Sequence, residues 1–226
     1  MDRYRTGRYA ADNPDWHDAH APHKAAELRA LLDQASWSPR VLVDVGCGTG
    51  GVLARLVRPD QRGVGIDVSP DAIARAPAAT NLAFRVGDVG DAPPGDLALC
   101  LDVVEHVPDD LGLLRDLRRV SHRVAVRIPL DASAWDTLRP ARMLRAREQY
   151  GHLRAYTLDL ARALVTEAGI TVVAEALVRV PEPAETRLGS VTLTARRLGH
   201  RVAPETTARL LGGFSWLILG QFTGSR

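Results

Sequence analysis

Four glycines in one turn, with three aspartates spaced around and behind them, are the residues of this chain best placed to do chemistry. In VLVDVGCGTGG, residues 41–51, an apolar run ends in a turn holding Gly46, Gly48, Gly50 and Gly51. Glycine tolerates positive φ and keeps Cβ atoms away from an approaching ligand. A helix that starts just after such a turn offers unpaired N–H donors. Asp44 precedes the glycines, Asp67 ends the run GVGID, and Asp88 follows in GDV. Gly46, Gly48 and Gly51 fit G-x-G-x-x-G, the spacing that brings a backbone close to a dinucleotide pyrophosphate.

Charge separates two classes of ligand for this turn. A carboxylate at position 44 repels a pyrophosphate but suits a cationic ligand such as S-adenosylmethionine, which carries an ammonium and a sulfonium. Asp44 can also serve the turn alone, by accepting from its backbone donors. Asp67 suits the ribose hydroxyls of any adenosine-containing ligand, so it does not discriminate. Asp88 either accepts from an adenine amine, with the Val89 amide donating to a ring nitrogen, or caps its own loop. One aspartate after each of three successive strands is more than turn chemistry alone accounts for.

Such residues need a parallel sheet to bring them to one edge. Apolar runs predict strands at 41–45, 63–67, 82–86, 97–101, 124–128, 170–180 and 214–222, with helices near 51–57, 70–76, 110–120 and 158–168 between them. A further helix precedes the first strand, with Ala26, Leu28, Leu31 and Leu32 at helical spacing. The alternation is that of βαβ units. Two long segments, 131–150 and 181–212, fall outside it and are expected to build an acceptor pocket together with an arm and helix over 1–35. The 226 residues suit one domain, and a 46% hydrophobic content excludes wholesale disorder. A net charge of +2 is too small to imply nucleic acid. Cys47 and Cys100 give no disulfide framework, the N-terminal residues form no apolar leader, and no apolar run reaches bilayer length. The expectation is a soluble cytoplasmic protein, monomer or homodimer, with no membrane or nucleic-acid partner.

The order of these signatures resembles that of class I S-adenosylmethionine-dependent methyltransferases of the bacterial small-molecule type. It runs DVGCGTG at 44–50, GIDVSP at 65–70, GDV at 87–89 and DLALCLDVVEHVPD at 96–109. The resemblance covers residues 41–130, and GHLRAYTLDLARALVTEAGI at 151–170 is similar to the helix before an antiparallel strand pair. It implies an α/β, Rossmann-like, doubly wound sheet of seven strands, mostly parallel with a C-terminal antiparallel hairpin, and S-adenosyl-L-methionine as cofactor. The positions it assigns to that cofactor are Asp44, Gly46, Cys47, Gly48, Gly50, Asp67, Val68, Asp88, Val89, Leu101 and Asp102. His106 would lie at the mouth of the acceptor pocket.

Methyl transfer is an in-line displacement, so alignment in a dry site is the main task. A hydroxyl acceptor also needs a base. His106 and His17 are the candidates, although His106 can instead bond a backbone carbonyl or merely orient the acceptor. Trp16, His17, His106, Arg127 and His152 are expected on the acceptor side, the first two in an N-terminal lid or a packed arm. Arg139, Arg142, Arg145 and Arg147 either meet an acceptor anion or, the preferred expectation, form a solvated helix face. No metal-ligand spacing occurs in the sequence, so no metal is predicted. Transfer to oxygen of a small biosynthetic intermediate is expected, with nitrogen or carbon methylation, a nicotinamide-dependent oxidoreductase and a non-catalytic cofactor-binding protein as alternatives.

Overall fold

A computed structural model of the chain describes residues 2–14, 16, 18–180 and 187–224. Seven strands form one sheet in the order β3-β2-β1-β4-β5-β7-β6: β1 (Val41–Val45), β2 (Arg62–Asp67), β3 (Leu82–Val86), β4 (Leu97–Leu101), β5 (Arg123–Leu130), β6 (Ile170–Arg179) and β7 (Phe214–Phe222). The first five pair in parallel, and β7 runs antiparallel to both β5 and β6. The strand order reverses between β1 and β4, and it is outside the carboxyl ends of strands at such a point that open α/β sheets bind ligands.

Two apolar layers explain why these runs became buried strands. In β4, Leu97, Leu99 and Leu101 face a layer that also contains Leu28, Leu31, Leu53 and Leu56. Ala98 and Cys100 of the same strand face the opposite layer, with Leu114, Leu117, Leu158 and Val165. Period-two alternation with both faces covered is the pattern of a central parallel strand. The first layer is supplied by α3 (Ala21–Gln34) and α4 (Gly51–Leu56), the second by α6 (Asp110–Val120) and α9 (Leu158–Glu167).

Strands β1, β3, β4 and β7 have the bounds their apolar runs predict. Strand β5 extends beyond its expected range at both ends because its pairing with β7 continues from Arg123 to Leu130. The remaining helices are α1 (Asp2–Arg5), α2 (Arg8–Asp12), α5 (Pro70–Ile73), α7 (Ala134–Leu138), α8 (Ala141–Arg145), α10 (Arg187–Val202) and α11 (Pro204–Leu211). A π-helical turn over Ala146–Tyr150 follows α8. Helix α5 is shorter than expected, with Ser69 as its N-cap and Pro70 in its first turn. Among the described residues, no helix is long and apolar enough to cross a membrane.

One ion cluster ties three of these elements together at the sheet edge. Asp102, just past β4, has φ of 58° and lies 2.6 Å from Arg127 Nη1 on β5 and 2.6 Å from Lys24 Nζ on α3. Arg127 is buried at an inward strand position, where an unpaired guanidinium would be costly. Replacing Arg127 takes both of its bonds from the Asp102 carboxylate and leaves it Lys24 as its one remaining partner in this cluster. Arg127→Met should therefore destabilise the fold by about 3 kcal/mol, read by urea unfolding at pH 7.

Candidate active site

The glycine turn is shaped by its backbone bonds. The Gly46 and Cys47 amides both donate to the Ile66 carbonyl, at 2.8 and 3.1 Å. Gly46 sits at φ of 78°, and a Cβ there would lie 2.5 Å from Val103 Cγ2, so the position admits only glycine without a shift. Gly48, at φ of 55°, leaves bare backbone under the Trp16 ring, 3.8 Å from where a Cβ would be. Gly50, at φ of 75°, is the N-cap of α4.

Asp44 lies beneath this turn, 2% exposed, and its Oδ1 has no hydrogen-bond partner among the described residues. Burial, then the nearby Asp67 charge, push its pKa up to about 7, with Lys24 opposing. Asp67 is placed differently. Its Oδ2 accepts from the Gly48 amide and its Oδ1 from the Ser69 amide, both at 2.8 Å. Each oxygen keeps a further lone pair for a ligand donor.

These residues open onto a cavity of about 770 Å³ at the switch point. Asp44, Gly46, Cys47, Gly48, Asp67, Leu101 and Asp102 line it, as do Trp16, His106, Arg127 and His152. Four expected cofactor positions are not among the lining residues: Gly50, Val68, Asp88 and Val89. The Asp88 side chain caps the turn over Val89–Asp91 by accepting from the Gly90 amide at 2.9 Å. Asp102 and Arg127 are committed to each other: burial raises the Asp102 carboxyl, but Arg127 and Lys24 outweigh it and hold it well below the usual carboxylate range. Burial pushes the Cys47 thiol up, so it stays protonated. His17 lies outside the described residues.

The opposite wall joins the N-terminal arm to the segment after β5. Tyr4 Oη donates to the Tyr150 carbonyl at 2.8 Å, and Arg3 and Asn13 donate to the Gln149 carbonyl, each at 3.1 Å. A run of ring contacts follows the same seam: Trp16 to Tyr9, Tyr9 to Tyr4, Tyr4 to His106 and His106 to His152, with centroids 4.6–5.6 Å apart. The preferred expectation for the arginine run does not hold throughout. Arg139, Arg142 and Arg145 line the cavity; Arg139 lies over the Trp135 ring and Arg142 Nη2 is 2.8 Å from Asp136 Oδ2.

His106 and His152 converge on a residue that sequence reasoning passed over, Glu105. It is 1% exposed, and among the described residues neither oxygen has a hydrogen-bond partner. Burial first, then the Asp102 charge, raise its pKa to about 8. Burial and the neighbouring His152 charge pull His106 down to about 3, so its ring is neutral at physiological pH. His152 Nδ1 is 2.8 Å from Asp131 Oδ2. Burial favours neutral His152, but the Asp131 bond and the Glu105 charge prevail and its pKa is raised. Glu105 directly precedes His106 in VVEHVPD, and that adjacency was the one signal available.

Comparison with known proteins places this geometry in a family. A family model described as a methyltransferase domain matches residues 16–175. Ajmaline N-methyltransferase from Rauvolfia serpentina is 34% identical over 121 residues, 44% of this chain and 41% of that protein. Ubiquinone biosynthesis O-methyltransferase from Methylococcus capsulatus is 31% identical over 111 residues, 44% of this chain and 47% of the relative. The chain thus spans less than half the length of these curated relatives. Magnesium protoporphyrin IX methyltransferase from Synechocystis PCC 6803, solved with bound SAH, shares the fold with a TM-score of 0.59 at 15% identity, over 94% of this chain and 86% of that one. The match over most of the chain, on a seven-stranded sheet of this order, establishes that the chain belongs to the methyltransferase-domain family and is a class I S-adenosylmethionine-type methyltransferase domain.

Proposed function

We propose that this chain transfers the methyl group of S-adenosylmethionine to a hydroxyl oxygen of a small-molecule acceptor held between the glycine turn and the wall formed by residues 131–152. The observation that carries this reading is the unpartnered, fully buried Asp44 beside a glycine turn that no phosphate could approach without meeting that charge. The residues present fit the cofactor. Asp44 would hold a cationic amino group, the bare backbone of Gly46 and Gly48 would admit the ligand closely, and Asp67 would accept from ribose hydroxyls. Bound S-adenosylmethionine supplies a methyl group on a sulfonium, a good leaving group.

This chain's own residues then orient the acceptor and exclude water. Trp16, Tyr9 and Tyr4 roof the cavity, and closure of such a roof shields a displacement from solvent. The acceptor oxygen faces the cluster of Glu105, His106 and His152. A cluster of titratable side chains beside the oxygen suits a hydroxyl better than an amine, since an amine attacks through its lone pair before it loses a proton. The curated relatives include both N- and O-methyltransferases, so an amine acceptor is the second reading.

Two experiments test these roles. Asp44 must be ionised to hold an ammonium, and its pKa in the ligand-free protein is about 7. Below that pH, binding has to expel a proton, so the Kd for S-adenosylmethionine should rise about tenfold per pH unit, as calorimetry at pH 5.5–8 would show. Asp44→Asn should weaken binding and flatten that dependence. The ligand-free variant should also gain Tm at pH 8, because a carboxyl whose pKa is raised on folding costs stability as pH rises through about 7. A Kd independent of pH would remove Asp44 from the site.

For the reaction itself, methyl-labelled S-adenosylmethionine is incubated with a panel of hydroxylated and aminated small molecules, and products are identified by mass. Label on oxygen is expected, and label on nitrogen alone would turn the reading to the amine. His106→Ala should reduce turnover by roughly two orders of magnitude with cofactor affinity unchanged. No cofactor binding and no label in any product would overturn the proposal.

A further inference from the structure

The Glu105, His106 and His152 cluster has a geometry that proton transfer alone does not explain. One ligand atom from each residue lies within 4.8 Å of the others. The tautomers follow from their partners. Tyr4 Oη has a single proton and donates it to the Tyr150 carbonyl, so at 2.9 Å it accepts from His106 Nδ1. Asp131 has Arg142 Nη2 3.6 Å from its Oδ1, and its Oδ2 accepts from His152 Nδ1 at 2.8 Å. Each ring thus has its Nδ1 proton engaged, and in its neutral form carries its lone pair on Nε2.

His106 Nε2 is 3.7 Å from Glu105 Oε1, too long for a hydrogen bond. It is close to the separation of about 3.4 Å between two atoms bound to one tetrahedral ion at about 2.1 Å. Glu105 meanwhile has no donor on either oxygen among the described residues. Two imidazole lone pairs and one carboxylate, with the second nitrogen of each ring tied to an oxygen, make up a ligand set with its outer partners in place.

We propose that Glu105, His106 and His152 bind one divalent transition-metal cation, such as Zn²⁺, with Asp131 and Tyr4 orienting the two rings. Two nitrogens and one oxygen are borderline in softness and suit Zn²⁺, Co²⁺ or Fe²⁺ over Mg²⁺ or Ca²⁺. Three protein ligands leave a position open, and all three residues line the acceptor cavity. A cation there would favour the ionised form of an acceptor hydroxyl, whose proton would pass to solvent as the oxygen takes the open position, so the two imidazoles would act on that oxygen through the ion. The place of the acceptor rests on the function proposed above; the binding of the cation does not.

The test uses the full chain, stripped with a chelator and titrated with ZnCl₂ by calorimetry and with CoCl₂ by visible absorption. One equivalent of Zn²⁺ and a cobalt d–d band of low coordination number are expected. Asp131→Asn should weaken Zn²⁺ binding by about 10–100-fold. Glu105→Gln and His152→Ala should each abolish the stoichiometric site, with far-ultraviolet circular dichroism and S-adenosylmethionine affinity as controls for folding. Absence of a stoichiometric site, or equal Zn²⁺ binding by the wild-type chain and whichever of the two variants folds, overturns the proposal. Methyl transfer by the stripped protein at the same rate as with Zn²⁺ overturns the role of the ion while leaving the methyltransferase reading intact. Zn²⁺ binding without cofactor binding does the reverse.

Discussion

A carboxylate removed from water must find a counter-charge or donors, or else become protonated, and three at the sheet edge of this protein face that demand: Asp44 and Glu105, which are buried, and Asp102, which is part-buried. They meet that demand in different ways. Asp102 is paired within the protein, by Arg127 from β5 and Lys24 from α3, and so fixes the relation of two strands and a helix. Asp44 Oδ1 and both oxygens of Glu105 have no hydrogen-bond partner among the described residues. Unpaired burial of this kind clusters at functional sites. The same sheet edge is where the parallel strands reverse order, the place where the fold leaves a crevice.

The crevice is closed by contacts that are polar and aromatic. The N-terminal arm is held to the π-helical turn by side chains of Arg3, Tyr4 and Asn13 donating to backbone carbonyls of residues 148–150. Its inner face is a chain of rings that starts above Gly48 and ends at His152. Few apolar contacts and many hydrogen bonds near the surface mark a segment that opens at lower cost than the sheet. Aromatic rings supply a broad, rigid ceiling with little rotamer freedom to lose.

How much of this could be read in the sequence follows from how local each signal is. The strands were legible because a buried parallel strand is a short apolar run between turn residues, and both faces of β1 and β4 are covered. Gly46 was legible because its positive φ and its approach to Val103 leave no other residue type. Asp88 was ambiguous, and its side chain does cap its own turn. What stayed hidden is what depends on distant elements. Nothing near position 127 says that Asp102 and Lys24 wait on neighbouring elements, and nothing near 152 announces Asp131 and Glu105. The arginines after β5 resemble a solvated face in sequence, yet three of them reach the cavity, where Asp136 pairs with Arg142 and the Trp135 ring lies under Arg139.

Lys24, the only lysine in the chain, shows how closely the three carboxylates depend on one another. It pairs with Asp102 and at the same time opposes the rise in the Asp44 pKa. Arg127 and Lys24 hold Asp102 in its charged form, and that charge is in turn a cause of the raised pKa of Glu105. The internal ion cluster thus does more than fasten β4 to β5 and α3. It reaches both unpaired carboxylates, Asp44 through Lys24, which lowers its pKa, and Glu105 through Asp102, which raises it.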